Sequence, residues 1–128
     1  DDEIRQRMQG ALPATTQYSL QNVDALLEDL AHARICGYAC SNQELFLGIK
    51  TIAIALQSPL NPSPIALSVS FPLLSVDAST EQALIDDLMA TGRAVGLRIG
   101  DPRWLAPAKV APVAVRKPAA AKRPPPVT

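Results

Sequence analysis

Two stretches that alternate in side-chain size, joined by a proline-rich turn, set the tightest limit on what this chain can fold into. In the second stretch Ile65, Leu67, Val69 and Phe71 point one way, while Ala66, Ser68 and Ser70 point the other. In the first, Ile52, Ile54 and Leu56 share a face with Lys50, and Thr51, Ala53 and Ala55 share the other. A period of two is the repeat of a β-strand. The segment between them, Ser58-Pro59-Leu60-Asn61-Pro62-Ser63-Pro64, reads as a turn, because its prolines cannot donate to a ladder. Strands over about Ile49–Gln57 and Ile65–Phe71 should therefore pair antiparallel as a hairpin. Such a sheet has one bulky apolar face and one small face bearing hydroxyls. The small face has room on it, for a closely packed helix or for a small ligand.

The rest of the ordered pattern is helical on either side of this hairpin. Ile4, Met8 and Leu12 recur at helical spacing behind an acidic start, and Pro13 ends that short helix. Asn22 is the expected N-cap of a second helix, whose stripe is Val23, Leu26, Leu27, Leu30 and Arg34, closed by Gly37. A short strand follows at about Tyr38–Ser41, then a polar loop, Asn42-Gln43-Glu44. Ser79 with Gln82 reads as a capping box for a last helix reaching about Leu97. Gly92 and Gly96 inside it each cost about 1 kcal/mol against Ala. They signal close packing on a neighbour or a helix that loosens early. Helix, helix, three strands and helix make an α+β fold: an antiparallel sheet of about three strands with helices packed on it. Its sheet edges have nothing in the sequence that obviously covers them.

Charge divides the chain unevenly. Residues 1–100 hold six Lys/Arg and eleven Asp/Glu, a net of −5, whereas residues 101–128 hold six Lys/Arg and only Asp101, a net of +5. The second part also carries seven of the twelve prolines and no amphipathic period. It reads as a disordered or polyproline-like tail on an acidic domain of residues 1–100. Arg116, Lys117, Lys122 and Arg123 are its candidate nucleic-acid contacts, through phosphates and without sequence preference. The alternative is a solubilising extension.

Cys36 and Cys40 make no disulfide framework, and two Cys with one His do not complete a tetrahedral zinc site without carboxylates. Reduced thiols in a cytoplasmic protein, with no metal and no cofactor, are expected. No stretch approaches the ~18 apolar residues of a membrane span. The start, Asp1-Asp2-Glu3, has the wrong charge for a signal peptide, and without an initial Met the chain is expected to be a fragment or a processed product. His32 has only Glu28 nearby at helical spacing, and no paired carboxylates, nucleophile elbow or phosphate-cradling glycine loop is present. An enzyme is not expected.

In order and spacing, these residues resemble the IclR family of bacterial transcription regulators, specifically the C-terminal half of its effector-binding domain. The resemblance runs over roughly residues 2–99: the helix from Asp2, the Leu-rich helix into Gly37-Tyr38-Ala39, and the loop ending in Glu44. It continues through Gly48 with Lys50, the Ile-Ala strand, and Ala66-Leu67-Ser68-Val69-Ser70-Phe71-Pro72 before the last helix. It implies a GAF-like half-domain that binds a small organic acid and signals to DNA-binding arms, in a homo-oligomer. Residue by residue, it implies effector contacts at Ser41, Thr51, Ser68 and Ser70. Ser41 stands where the family usually has an acid, and Thr51 where cysteine is common. The family's winged helix-turn-helix and the first half of its effector domain have no counterpart in this sequence, so the pocket is expected to be incomplete.

Two other functions fit the same residues. An interaction module would pair its open sheet edges with another chain and tether nucleic acid through the basic tail. A truncated, non-functional remnant would fold poorly alone.

Overall fold

The computed structural model describes residues 1–105. Arg116, Lys117, Lys122 and Arg123, with the rest of the expected tail from residue 106 on, lie outside the described residues. The chain runs α1 (Asp2–Arg7), α2 (Val23–Cys36), β1 (Ala39–Asn42), β2 (Ile49–Leu56), β3 (Ile65–Pro72), a 3-10 turn (Leu73–Ser75), α3 (Ala78–Ile99) and α4 (Pro102–Leu105). The three strands form one antiparallel sheet in the order β1-β2-β3. This is the expected α+β architecture, with the expected hairpin at its centre.

The helix ends follow local chemistry. Asn22 caps α2, its side chain accepting from the Ala25 N–H at 2.9 Å. Gly37 closes α2 in the left-handed conformation (φ 84°), where a side chain is disfavoured, and donates its N–H to Ala33 O. The cap of α3 is Asp77, which accepts from the Thr80 N–H at 2.7 Å, so Ser79 lies inside the helix and the expected Ser79–Gln82 capping box is not formed. That hydrogen bond also holds the Asp77 carboxyl below the usual carboxylate range. The helix α1 stops at Arg7 rather than at Leu12. Gly10 takes φ 95° and the Leu12 N–H donates to Gln21 O, so Leu12 belongs to the connector despite its spacing from Met8.

The core forms on the bulky face of the sheet. Ile52 and Ile54 of β2 and Phe71 of β3 pack with Ile85 and Leu88 of α3, and Ile52 is fully enclosed at 0% exposure. Lys50, on this same face, pairs with Glu81 in the first turn of α3, tying the start of β2 to the helix.

A strap closes the other end. Gly100 (φ 73°) turns the chain, and Asp101 enters the interior with 0% exposure. The Gln57 N–H donates to Asp101 Oδ2 at 2.7 Å, the Arg103 N–H and Nε to Oδ1 at 3.0 Å each, and Arg103 Nη2 to Oδ2 at 2.7 Å. Trp104 then lies in the groove left by Gly92 and Gly96: a Cβ at Gly96 would meet Trp104 Cβ at 2.5 Å. Its indole N–H donates to Ala55 O at 3.2 Å. The pairing of β1 with β2 reaches only to Ala39 opposite Ala53, so Trp104 supplies a donor to β2 beyond the end of β1. Asp101 and Trp104 are thus tied to the fold beyond the end of α3.

The β1–β2 loop is held from several sides. Gln43 takes φ 60° and its side-chain Oε1 accepts from the Gly48 N–H at 2.9 Å. Thr16 and Ser19 hydroxyls donate to Gln43 O (2.6 Å) and Glu44 O (2.5 Å). The loop tip presents Leu45, Phe46 and Leu47 at 57%, 64% and 64% exposure.

Candidate functional site

The register gathers the four sequence-predicted effector residues on one side of the sheet. Ser41 of β1 pairs with Thr51 of β2, and Thr51 with Ser70 of β3, so three hydroxyls form one row across all three strands. The adjoining row on that side is Ala39, Ala53 and Ser68. The two hydroxyls of Thr51 and Ser70 are 2.7 Å apart and share a hydrogen bond. Ser68 and Ser70 are exposed, whereas Ser41 and Thr51 are half-buried.

The small face leaves open what packs against it, a helix or a ligand. Among the described residues α3 takes the opposite, bulky face, and Ala55, Ala66, Ser68 and Ser70 remain exposed. The strand positions on this face, Ser41, Thr51, Ser68 and Ser70 with Ala39, Ile49, Ala53, Ala55, Ala66 and Pro72, carry no ionisable side chain. The surface can therefore donate and accept hydrogen bonds through hydroxyls and make methyl contacts, but it offers no formal charge.

The neighbouring polar residues stand elsewhere. Asn42 pairs with Lys50, on the bulky side, where its Oδ1 is buried without a hydrogen-bond partner. Lys50 is committed to Glu81 on that side and does not reach across the sheet. His32 has Cys36 rather than Glu28 as its close polar neighbour. Burial pushes the Cys40 thiol and the Tyr38 hydroxyl up from their ordinary values, and both pack on the core. Among the described residues no three or more His, Cys, Asp and Glu side chains converge on a possible metal position.

Sequence reasoning missed the Asp101–Trp104 strap. The available signal was the pair Gly92 and Gly96, one helical turn apart, in a chain with a single tryptophan shortly after the helix.

The chain matches the family described as bacterial transcriptional regulator IclR C-terminal, over residues 1–97. No curated protein matches it. Among solved structures it is similar to the repressor BlcR of Agrobacterium tumefaciens, with TM-score 0.69 and 20% identity, covering 77% of this chain and 41% of that one. It is similar to the C-terminal domain of the E. coli transcriptional regulator KdgR, with TM-score 0.68 and 26% identity, covering 77% of this chain and 61% of that one. A third is the inducer-binding domain of the Acinetobacter transcription factor PobR, a double mutant in complex with 3-hydroxybenzoic acid (TM-score 0.61, 24% identity, 77% and 55% covered). The chain thus spans less than two thirds of each of these relatives. No helix among the described residues is long and apolar enough to cross a membrane.

Proposed function

The chain belongs to the IclR C-terminal family of bacterial transcriptional regulators, whose members are not enzymes, and from that premise we propose that it is the effector-sensing part of such a regulator. The observation that carries this reading is the row Ser41–Thr51–Ser70, with Ser68 beside it, on a sheet face that no described element covers. A small organic acid seated there would accept hydrogen bonds from the hydroxyls and lay its carbon skeleton on Ala39, Ala53 and Ala55. The PobR domain holding 3-hydroxybenzoic acid is a relative with a ligand of that class. Binding would bias the placement of DNA-binding arms, a winged helix-turn-helix carried elsewhere in a homo-oligomeric, cytoplasmic assembly, through a coupling of about 1–3 kcal/mol.

Leucine at Thr51 and Ser68 fills the face and removes two hydroxyls. In the full-length regulator, Thr51→Leu with Ser68→Leu should weaken effector binding at least about tenfold, equivalent to about 1.4 kcal/mol, measured by isothermal titration with the cognate effector. The thermal midpoint should move little, because these side chains face away from the core. Unchanged affinity would place the pocket elsewhere.

A second reading rests on the outer edge of β3. Among the described residues β3 pairs only with β2, leaving eight residues of one strand edge available for another chain. An interaction module using this edge should dimerise, and deleting residues 106–128 should abolish its nucleic-acid binding. A monomer by sedimentation that does not bind nucleic acid would dismiss it.

A further inference from the structure

We propose that His32 and Cys36, on the last two turns of α2, form a two-point chelate for a thiophilic divalent cation of the Zn2+ class. Residues four apart on a helix stand above one another on the same face. Cys36 Sγ is 3.6 Å from His32 Nε2 and 3.7 Å from Nδ1. A tetrahedral zinc ion with a Zn–S bond of about 2.3 Å and a Zn–N bond of about 2.0–2.1 Å spans an S···N edge of about 3.6 Å. The near-equal distances place Sγ between the two nitrogens and aimed at neither lone pair, so the ring must turn for a metal to bridge one nitrogen and the sulfur across a span of this size. His32 is exposed, so its ring turns to aim either nitrogen, and Cys36 is a free, half-buried thiol that a hydrated ion can reach.

The bonding balances simply. The neutral imidazole gives a lone pair from one ring nitrogen. The thiol binds as thiolate: the S–H bond breaks, its proton passes to solvent, and the S–metal bond forms with no change of oxidation state. Water fills the remaining positions, since no third ligand converges there among the described residues. The site is open and exchanging, unlike a four-ligand structural one. One thiolate and one imidazole favour Zn2+ or Cd2+ over the oxygen-seeking Mg2+ and Ca2+. Cys40 takes no part, because it packs on the core, where burial pushes its thiol up from the ordinary value. The metal-free expectation from composition considered only four-ligand sites. The His-x-x-x-Cys spacing on a helix permits a smaller one.

The test is titration of the reduced full chain with Co2+ as a spectroscopic stand-in for Zn2+. A thiolate-to-cobalt charge-transfer band should appear, persist in Cys40→Ser, vanish in Cys36→Ser, and require at least about tenfold more Co2+ in His32→Ala. No band in the unmodified chain, or a band that survives Cys36→Ser or disappears with Cys40→Ser, would overturn the assignment. A second readout does not depend on substituting Cys36. Zn2+ should slow alkylation of Cys36, followed by peptide mass, at least about tenfold in the unmodified chain and much less in His32→Ala. Equal alkylation rates with and without Zn2+ in the unmodified chain would also overturn it.

Discussion

Gly96→Leu should remove about 3 kcal/mol of stability and eject the C-terminal strap from its seat. A Cβ at Gly96 would lie 2.5 Å from Trp104 Cβ, 2.6 Å from Cγ and 2.7 Å from Cδ1. The atoms in the way sit at the root of the indole, so no side-chain rotation relieves the clash and the backbone of α4 has to move. Helix propensity works the other way, since a side chain in place of glycine gains about 1 kcal/mol in a helix interior. Overpacking wins because the displaced indole also loses its burial against the groove and its bond to Ala55 O. Gly96→Ala should show the same sign at about 1–2 kcal/mol. Denaturant unfolding gives the magnitude. Trp104 is the only tryptophan in the chain, so its emission in the folded state should shift to the red as the ring becomes hydrated. Wild-type stability with unchanged emission would mean that the strap does not depend on the groove.

Asp101→Ala should cost about 2–3 kcal/mol, near the lower end of the range for breaking a buried charge pair. The substitution leaves the Gln57 N–H at the end of β2 without its acceptor. Arg103 loses its partner too, but its side chain is 47% exposed and water takes over much of the solvation. The same carboxylate makes stability depend on pH. The Arg103 hydrogen bonds hold its pKa down to about 2 against an ordinary 3.8, overcoming the opposing effect of burial. A pKa lowered by folding means that the ionised form is favoured in the native state. Its contribution, about 2 kcal/mol, is complete above pH about 4 and is lost as the pH falls toward 2. Wild type should therefore lose stability across that window, and Asp101→Ala should lose correspondingly less. Parallel acid profiles of the two proteins would refute this.

The part of the fold legible in the sequence was the part written in short-range periodicity. Alternation of Ile and Ala along β2, and of large residues with Ser along β3, gave both strands, their pairing and their two faces. Asn22 and Gly37 marked the ends of α2 because capping is a matter of a few neighbouring residues. Where two local signals competed, the choice went astray: Asp77 and Ser79 can both cap a helix, and the carboxylate two residues earlier reaches the Thr80 N–H first. Met8 and Leu12 have helical spacing, but Gly10 and the bond from Leu12 to Gln21 O break the helix between them. The strap was hidden because its partners are far away in sequence. Asp101 meets Gln57 and Trp104 meets Ala55, and no window of neighbouring residues contains both members of either pair. Of the two readings the sequence left open for Gly92 and Gly96, close packing is the observed one, with Trp104 as the neighbour. At the candidate site, strand parity put Ser68 with Ser70 and Thr51 with Ala53, the family resemblance added Ser41, and the register aligned all four on one face. Parity could not tell which face α3 would choose, since that depends on how the bulky side chains of β2 and β3 mesh with Ile85 and Leu88.

The tip of the β1–β2 loop has a consequence for how the protein behaves in a tube. A floppy loop bearing Leu45-Phe46-Leu47 would fold those side chains inward and hide them. This one is braced at Gln43 and Glu44 by Thr16 and Ser19, and its leucines and its phenylalanine are turned outward. Water pays the cost of wetting them, and that cost falls whenever two molecules touch tip to tip. The isolated chain should be a sticky particle, retained on greasy matrices and less soluble in sulfate, and a single lysine at Phe46 is the simplest way to make it easier to handle.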